Sequence, residues 1–156
     1  MLSPLSQANP DSFSIAYFYA LALQNAQRPE AEAEARRALA LRPQSPEGQT
    51  LLGVVLASQG KQEEAIPYLR RARAADPENA EAALALGRVL LERGQLEEGL
   101  SLLREAVKLA PGSANAHLVL ADALRRAGKT EEAQKEAQTA ESLKQQEQHP
   151  GSEAPR

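Results

Sequence analysis

The sequence predicts an all-α array of tandem helix hairpins, and two observations carry that prediction. The first is a repeat: the stretch 45–77 recurs at 79–111 after a shift of 34 residues, and again at 113–144. The second is the helical spacing of apolar residues within each repeat, as at Leu52 and Leu56. A fixed period of roughly 20–50 residues is the signature of a chain built from stacked supersecondary units.

The repeats agree at positions that set local structure. The aligned sets are Ser45, Asn79 and Ser113; Leu52, Leu86 and Leu120; Leu56, Leu90 and Leu124; Gly60, Gly94 and Gly128; Pro43, Pro77 and Pro111. Because cap residues, apolar residues, glycines and prolines all keep their spacing, each unit is expected to fold in the same way.

Each unit is predicted to be two antiparallel helices joined by a short turn. In the unit that starts at Ser45, this serine is the N-cap of the first helix. Gly60 closes that helix, since the residue after a helix end often needs a left-handed backbone. Glu63 and Glu64 begin the second helix, where carboxylates favour the positive end of the helix dipole. Pro77 ends it, because proline disfavours helix in the residue before it.

This pattern resembles the tetratricopeptide repeat (TPR) family, whose unit reads W-x2-L-G-x2-Y, then A-x3-F, then P. The matching residues are Leu52-Gly53, Leu86-Gly87 and Leu120-Ala121; Ala65 with Leu69, Gly99 with Leu103 and Ala133 with Ala137; and Pro77 and Pro111. The tryptophan position holds Gln49, Ala83 and His117, which predicts a core poor in aromatic residues. The resemblance covers about residues 12–147 and implies a right-handed α–α superhelix, or solenoid.

Four units are expected within the array 13–147. Their approximate ranges are 13–45, 46–79, 80–113 and 114–147, with the last helix as a polar cap. Residues 1–12 are predicted to be the end of a partial repeat or a lead-in, and 148–156 a disordered tail. The first unit is one residue short, so Asn25 is expected at the left-handed position and Pro29 at the start of the second helix.

Two glycines inside helices point to a close helix crossing. Gly53 and Gly87 each cost about 0.5–1 kcal/mol relative to alanine in a helix interior. Ala121 holds the same position in the fourth unit, which indicates a need for small size and not for an unusual backbone angle. On that reasoning Gly87→Ala should be near neutral, whereas Gly87→Leu should cost about 1–3 kcal/mol by overpacking.

Composition narrows the function class. The chain has 156 residues, a formal net charge of −3 and no cysteine, which excludes disulfides and cysteine metal sites and argues against a nucleic-acid surface. No apolar run approaches the roughly 18 residues that span a membrane, and the N-terminal stretch lacks the regions of a signal peptide. A cytoplasmic protein is expected, unless the sequence is a fragment of a longer exported or membrane-anchored protein.

No catalytic residue, cofactor site or metal site is expected. His117 and His149 have no second histidine or cysteine to share a metal with. The glutamate pairs recur once per repeat at exposed helix starts, so a solvated role is favoured over acid–base chemistry. The pairs Arg36-Arg37, Arg70-Arg71 and Arg125-Arg126 could form an anion patch, but a solvated face is the other interpretation. Arg36, Arg70 and Arg104 share one repeat position and should point the same way. The chain is therefore not expected to be an enzyme.

Binding of a protein or peptide remains. In the TPR family the first helix of each hairpin lines a concave groove, which implies a groove here for an extended or helical peptide segment of a partner. The candidate positions are Glu47, Thr50, Val54, Ser58, Glu81, Leu84, Arg88, Leu91, Asn115, Leu118, Asp122 and Arg125, and the same helices add Ala57, Glu92 and Arg126. The sequence leaves open whether the groove leucines bind a ligand or fill seams between helices.

Two alternatives stand beside the peptide-binding scaffold. One is a structural or assembly role, in which the N-terminal end of the array, with Tyr17 and Phe18, stacks on another copy. The other is a regulatory or substrate-positioning piece of a larger enzyme. The groove positions lack the lysine, asparagine and arginine clamp that the family uses for chaperone tails, so that partner is not expected.

Overall fold

A computed structural model describes residues 12–148, and all of the regular secondary structure in this range is α-helical. The helices are α1 Phe13–Asn25, α2 Ala31–Leu41, α3 Pro46–Ser58, α4 Gln62–Ala75, α5 Ala80–Glu92, α6 Leu96–Leu109, α7 Ala114–Arg126 and α8 Thr130–Gln148. The predicted all-α succession of helix hairpins is confirmed. The expectations for residues 1–11 and 149–156 lie outside the described residues.

The chain divides into two compact units within α5, the first ending at Ala85 and the second beginning at Leu86. In the first unit α1 packs on α2 and α3, α2 packs on α3, and α3 packs on α4. In the second unit α7 packs on both α6 and α8. Each hairpin partner is therefore also a neighbour in space, as short connections between antiparallel helices require.

The first helix of every hairpin begins with a side-chain cap. The capping oxygens belong to Ser12, Ser45, Asn79 and Ser113, which accept from the backbone amides of Ile15, Gly48, Ala82 and Ala116 at 3.4, 3.0, 2.9 and 3.2 Å. Each bond satisfies one amide that has no partner inside the helix. The predicted N-cap at Ser45 is confirmed.

The turn between the helices of a hairpin contains one left-handed residue. This residue is Gly60, Gly94 or Gly128 in the last three hairpins, with φ between 74° and 78°. In the first hairpin it is Gln27, with φ of 54°, whereas Asn25 is the last residue of α1. The expectation for Asn25 is therefore wrong. α2 begins at Ala31, two residues beyond the predicted start at Pro29 and four residues after the left-handed Gln27, whereas the other second helices begin two residues after their glycine.

The core consists of leucine, valine and alanine. The largest fully buried side chains are Leu52, Leu56, Leu69, Leu90, Leu103, Leu124, Val55 and Val89. Burying one such side chain contributes about 1.5–3 kcal/mol. No aromatic residue of the described range is buried, because all of its phenylalanines and tyrosines are half-buried or exposed. The predicted aromatic-poor core is confirmed.

In two hairpins the first and second helices cross at the predicted glycines, Gly53 and Gly87, with almost no space between them. A Cβ atom on Gly53 would lie 2.5 Å from Leu69 Cγ, and one on Gly87 would lie 2.8 Å from Leu103 Cγ. Both leucines are fully buried, so neither side chain can swing out into solvent. The close crossing is confirmed, and its geometry argues against the expectation that Gly87→Ala is near neutral. An added methyl group would overlap a packed leucine.

The fourth repeat accommodates Ala121 at the glycine position because the facing residue on the second helix, Ala137, is smaller than leucine. Leu69 and Leu103 stand sixteen residues after Gly53 and Gly87, and the residue sixteen after Ala121 is Ala137. A larger residue on the first helix is thus matched by a smaller one on the second, which conserves volume at the crossing.

Candidate interaction surface

The candidate groove positions in the first compact unit, which ends at Ala85, differ widely in exposure. Thr50 is buried, and its hydroxyl donates to the Pro46 carbonyl at 2.8 Å and accepts from Asn79 Nδ2 at 3.0 Å. This hydroxyl therefore links α3 to the N-cap of α5 and has no role left for a ligand. Val54 and Leu84 are half-buried, and their outer edges remain accessible.

Acidic groups surround the outer part of α1 in the same unit. Burial raises the pKa of the Tyr17 hydroxyl, and the carboxylates of Glu81 and Glu47 raise it further. Glu47 accepts a hydrogen bond from Ser45 Oγ at 2.7 Å, which lowers the pKa of the Glu47 carboxyl. Glu47 and Glu81 are both exposed, and Arg42, which lies over the Phe13 ring at 4.6 Å, places a positive charge near Glu47.

Ser58 opens on a different surface of the first unit. Its Oγ donates to the Val55 carbonyl at 2.8 Å and lies 3.2 Å from Gln24 Oε1. It borders a cleft of about 710 Å³ near the hairpin turns, lined by Gln24, Asn25, Gln27, Arg28, Pro29, Glu32, Ser58, Gln59 and Lys61. Several of these side chains bond to one another or to the backbone, and Lys61 Nζ lies 2.7 Å from Glu32 Oε2. The lining of this cleft is therefore polar and largely self-paired.

The second unit gathers five of the twelve candidates into one cleft of about 320 Å³ between α5 and α7. Its lining is Arg88, Leu91, Glu92, Asn115, Leu118, Val119, Asp122 and Arg126. We call this the α5–α7 cleft. Arg125 is not part of the lining and lies beside it, 3.6 Å from Asp122.

The α5–α7 cleft has an apolar part made by three side chains. Leu91 is buried, Val119 is half-buried, and Leu118 is 37% exposed. Leu91 therefore fills a seam and also forms a wall, whereas Leu118 exposes a large part of its side chain. Leu118 thus leaves apolar surface accessible inside the cleft, next to the polar side chains of its lining.

The lining of the cleft holds two arginines, Arg88 and Arg126, and two carboxylates, Glu92 and Asp122, and a third arginine lies beside it. Asp122 is shared by Arg126, at 3.0 Å, and Arg125, at 3.6 Å. Arg88 is exposed and forms no hydrogen bond or ion pair with any residue from 12 to 148. With Glu92 included, three guanidinium groups face two carboxylates in and beside the cleft.

Val119 is the lining residue that the sequence analysis missed. Its signal was present in the helical period, because Asn115, Val119, Asp122 and Arg126 follow one another at steps of four, three and four. Such steps place residues on one face of a helix. The prediction used only the positions that line the groove in the TPR family, which include Leu118 but not Val119.

Two residues at the family's tryptophan position contact the proline carbonyl at the end of the preceding repeat. Gln49 Nε2 donates to the Pro43 carbonyl at 3.1 Å, and His117 Nε2 lies 2.9 Å from the Pro111 carbonyl. His117 Nδ1 also lies 2.6 Å from Glu136 Oε2 on α8. His117 is buried with both ring nitrogens engaged, and within residues 12–148 no group of three potential metal ligands is found.

Two of the arginines that share one repeat position, Arg36 and Arg104, form ion pairs between successive second helices. Arg36 on α2 reaches Glu64 on α4 at 3.1 Å, and Arg104 on α6 reaches Glu132 on α8 at 2.7 Å. Arg36 also pairs with Glu32 on its own helix at 2.9 Å. These guanidinium groups remain solvated and are already paired with carboxylates, which disfavours the interpretation of an anion patch.

Comparison with known proteins decides the family. Models described as tetratricopeptide repeat match residues 20–80, 52–114 and 90–150. The chain belongs to the tetratricopeptide repeat family. Membership in this family supports a role as a protein–protein interaction module. No curated protein matches the sequence at a significant level.

Several solved structures share the TPR fold with this chain. A crystal structure of MamA is 21% identical and has a TM-score of 0.73, covering 92% of this chain and 85% of its own. MamA from Desulfovibrio magneticus RS-1 is 24% identical, with a TM-score of 0.74 and coverage of 95% and 84%. YrrB, described as a TPR protein with an unusual peptide-binding site, is 22% identical, with a TM-score of 0.66 and coverage of 88% and 72%. These likenesses confirm the all-α TPR solenoid class.

No helix among residues 12–148 combines the length and the apolar character needed to cross a membrane.

Proposed function

We propose that this TPR chain is a non-enzymatic interaction module that holds an extended or helical peptide segment of a partner protein against its first helices. The observation that carries the proposal is the α5–α7 cleft, where a partly exposed leucine lies beside an arginine that has no partner among residues 12–148. Membership in the TPR family supports a protein partner. YrrB, which has a similar fold, is described as having a peptide-binding site.

The composition of the cleft suits a peptide better than a reactive small molecule. Apolar contact area with a few polar groups at the edge is the usual make-up of an interaction patch. Asp122 in the lining is paired with Arg125 and Arg126, and His117, outside the lining, bonds to Pro111 and Glu136. These pairings favour binding over acid–base chemistry in the cleft.

Selection from a displayed library of random dodecapeptides tests the proposal. Peptides enriched on the wild-type chain are synthesised, and their affinity is measured for the wild type, Leu118→Asp and Leu109→Asp. Leu109 is a matched control, because it is 36% exposed against 37% for Leu118 and does not line the cleft. We expect Leu118→Asp to abolish binding and Leu109→Asp to leave it unchanged. Enriched peptides that bind both variants equally well, or the absence of any enriched peptide, would overturn the proposal.

A second candidate function is self-assembly through α1, and the exposure of Phe18 favours it. Phe18 is 65% exposed, and its ring contacts that of Tyr17 edge-on at 5.4 Å between centroids, while Phe13 stacks on Tyr17 at 5.7 Å. Phe18 is thus the exposed member of a cluster whose other two rings are half-buried, and aromatic side chains are enriched at interfaces. Sedimentation equilibrium of the wild type and Phe18→Ser tests this role. A concentration-dependent mass that Phe18→Ser lowers supports it, and a monomer at all concentrations excludes it.

A further inference from the structure

We infer that the α5–α7 cleft selects a short peptide motif in which an acidic residue stands beside an aliphatic or aromatic residue. This inference rests on the proposed function, since it names the chemistry of the peptide that the cleft would hold. Charge, apolar contact and size each support one element of the motif.

The charge balance of the cleft favours an incoming carboxylate. Asp122 is the shared acceptor of two arginines, so it offers little to a third cation. Arg88, on the opposite helix, presents a guanidinium group that is unpaired within the described part of the chain. A carboxylate can accept two parallel hydrogen bonds from one guanidinium group, an arrangement that is stronger and more selective than contact with a point charge. A lysine or arginine of the partner would instead compete with Arg125 and Arg126 for Asp122 and would approach the guanidinium group of Arg88.

The apolar residue of the motif follows from the position of Leu118 relative to Arg88. Leu91, one helical turn after Arg88, is a wall of the same cleft, and Leu118 and Val119 face it from α7. A peptide side chain next to the acidic residue would cover the exposed part of Leu118. Removing apolar surface from water contributes roughly 25 cal/mol per Å². Peptides in which the acid stands beside a polar residue would lose this contribution.

The size of the cleft limits the motif to a few side chains. A volume of about 320 Å³ lies at the lower end of the range for ligand clefts, which is about 300–1,000 Å³. The cleft therefore receives one or two side chains, and the rest of the peptide crosses the surface. The expected affinity is modest, in the micromolar range (about −8 kcal/mol at Kd of roughly 1 μM).

A charge-swap selection tests the inference. The random dodecapeptide library is selected in parallel on the wild type and on Arg88→Glu. The wild type is expected to enrich Asp or Glu next to Leu, Ile, Val, Met or Phe, and Arg88→Glu is expected to enrich Lys or Arg at the acidic position. A synthetic peptide from the wild-type selection should bind Arg88→Glu roughly tenfold more weakly or worse. Replacing its acid by lysine should restore part of the affinity for that variant.

Arg71→Glu is the matched control for the charge change. Arg71 is exposed on α4, lies over the Tyr68 ring at 5.9 Å and does not line the cleft. Its reversal changes the net charge by the same amount and should change the peptide affinity less than about twofold. Circular dichroism of all variants checks that the helices are retained.

The outcomes separate this inference from the proposed function. Peptides that lack acidic residues, that bind Arg88→Glu as well as the wild type and that are lost with Leu118→Asp would overturn the inference and leave the proposed function standing. Peptides that are indifferent to both Arg88→Glu and Leu118→Asp would overturn both. Enrichment of an acidic–apolar motif that responds to both substitutions supports both.

Discussion

Gly87 and Leu103 pack so closely that a Cβ on the glycine would lie 2.8 Å from the leucine Cγ and 2.9 Å from its Cδ2. The Gly99 carbonyl oxygen would be 3.2 Å from the same Cβ, so α6 backbone limits the space as well. The two helices of this hairpin are thus held at the separation that glycine permits. The side chains at positions 87 and 103 share one space, so a larger residue at one position requires a smaller residue at the other.

The first prediction is that Gly87→Ala destabilises the chain by about 1 kcal/mol. Alanine gains about 1 kcal/mol over glycine in helix propensity, but overpacking of a filled core costs about 1–3 kcal/mol. Equilibrium urea unfolding measures the difference. The control is Gly112→Ala, since a Cβ on Gly112 would meet nothing within 4 Å. This control should be neutral or slightly stabilising.

A double substitution checks that Leu103 is the cause. Leu103→Ala alone should cost about 2–5 kcal/mol through the cavity it leaves. Gly87→Ala with Leu103→Ala reproduces the pairing of Ala121 with Ala137 in the fourth unit. The pair should be more stable than the sum of the single effects by about 0.5–3 kcal/mol. Strict additivity, with Gly87→Ala as stable as the wild type, would show that the crossing is not tight.

The second prediction concerns the left-handed turn of the first hairpin. Gln27 has φ of 54° at the position where the other hairpins have glycine. A residue with a Cβ is strained there by about 1–2 kcal/mol, and glycine recovers part of this at a cost in unfolded-chain entropy. Gln27→Gly should therefore raise the free energy of unfolding by about 0.5–1 kcal/mol. The reciprocal variant, Gly94→Gln, should lower it by a similar amount, and thermal melts of both variants provide the measurement.

The third prediction separates the two contacts of His117. His117→Gln can still donate to the Pro111 carbonyl, as Gln49 does to Pro43, but loses the contact with Glu136. It should cost about 0.5–1.5 kcal/mol, the usual contribution of one hydrogen bond. His117→Ala loses both contacts and leaves a cavity, so it should cost about 3 kcal/mol. Equal losses for the two variants would show that the Pro111 bond contributes nothing.

The fourth prediction is a pH dependence that originates at Glu32. Hydrogen bonds from Lys61 and then Arg36 lower the pKa of the Glu32 carboxyl below its usual range, although burial opposes them. A folded pKa below the unfolded value means that the stabilisation is present above the unfolded pKa, about 4.3. It is lost as the pH falls through the folded pKa. Glu32→Gln should be less stable than the wild type at pH 7 by up to about 1 kcal/mol.

The difference between Glu32→Gln and the wild type should vanish in strong acid, where the wild-type carboxyl is also neutral. Measuring the unfolding free energies of both proteins at pH 7, 5 and 3 tests this trend. Glu78→Gln is the control, because the exposed Glu78 side chain makes no ion pair with the described residues. A gap that stays constant from pH 7 to 3 would contradict the assignment to the Glu32 charge.

The predictable part of this fold depends on local interactions. The cap at Ser45 and the turn at Gly60 involve residues within four or five positions, so spacing in the sequence was enough to place them. The same holds for the groove residues Asn115 and Asp122, which lie on one face of one helix. Repetition strengthened each inference, because every local signal occurs three or four times.

The parts that sequence reasoning missed depend on partners distant in the chain. The burial of Thr50 follows from its bond to Asn79, 29 residues away, which no local pattern indicates. The intolerance of Gly87 to a methyl group depends on the packing of Leu103 against it. The opening of the α5–α7 cleft likewise depends on two helices that are separated by α6 in the sequence. Helical periodicity places a residue on a face and does not give the distance to the facing helix.

The fully buried residues of the first hairpin are smaller than those of the next hairpin. They are Ala16, Ala20, Ala31, Ala35 and Ala38, whereas the next hairpin buries Leu52, Leu56 and Leu69 completely. Each alanine in place of a buried leucine forgoes about 2–5 kcal/mol of packing. Local opening free energies in repeat proteins follow such differences. Amide protons of α1 and α2 should therefore exchange before those of α3 and α4, so the first hairpin opens more readily than the hairpin that follows it.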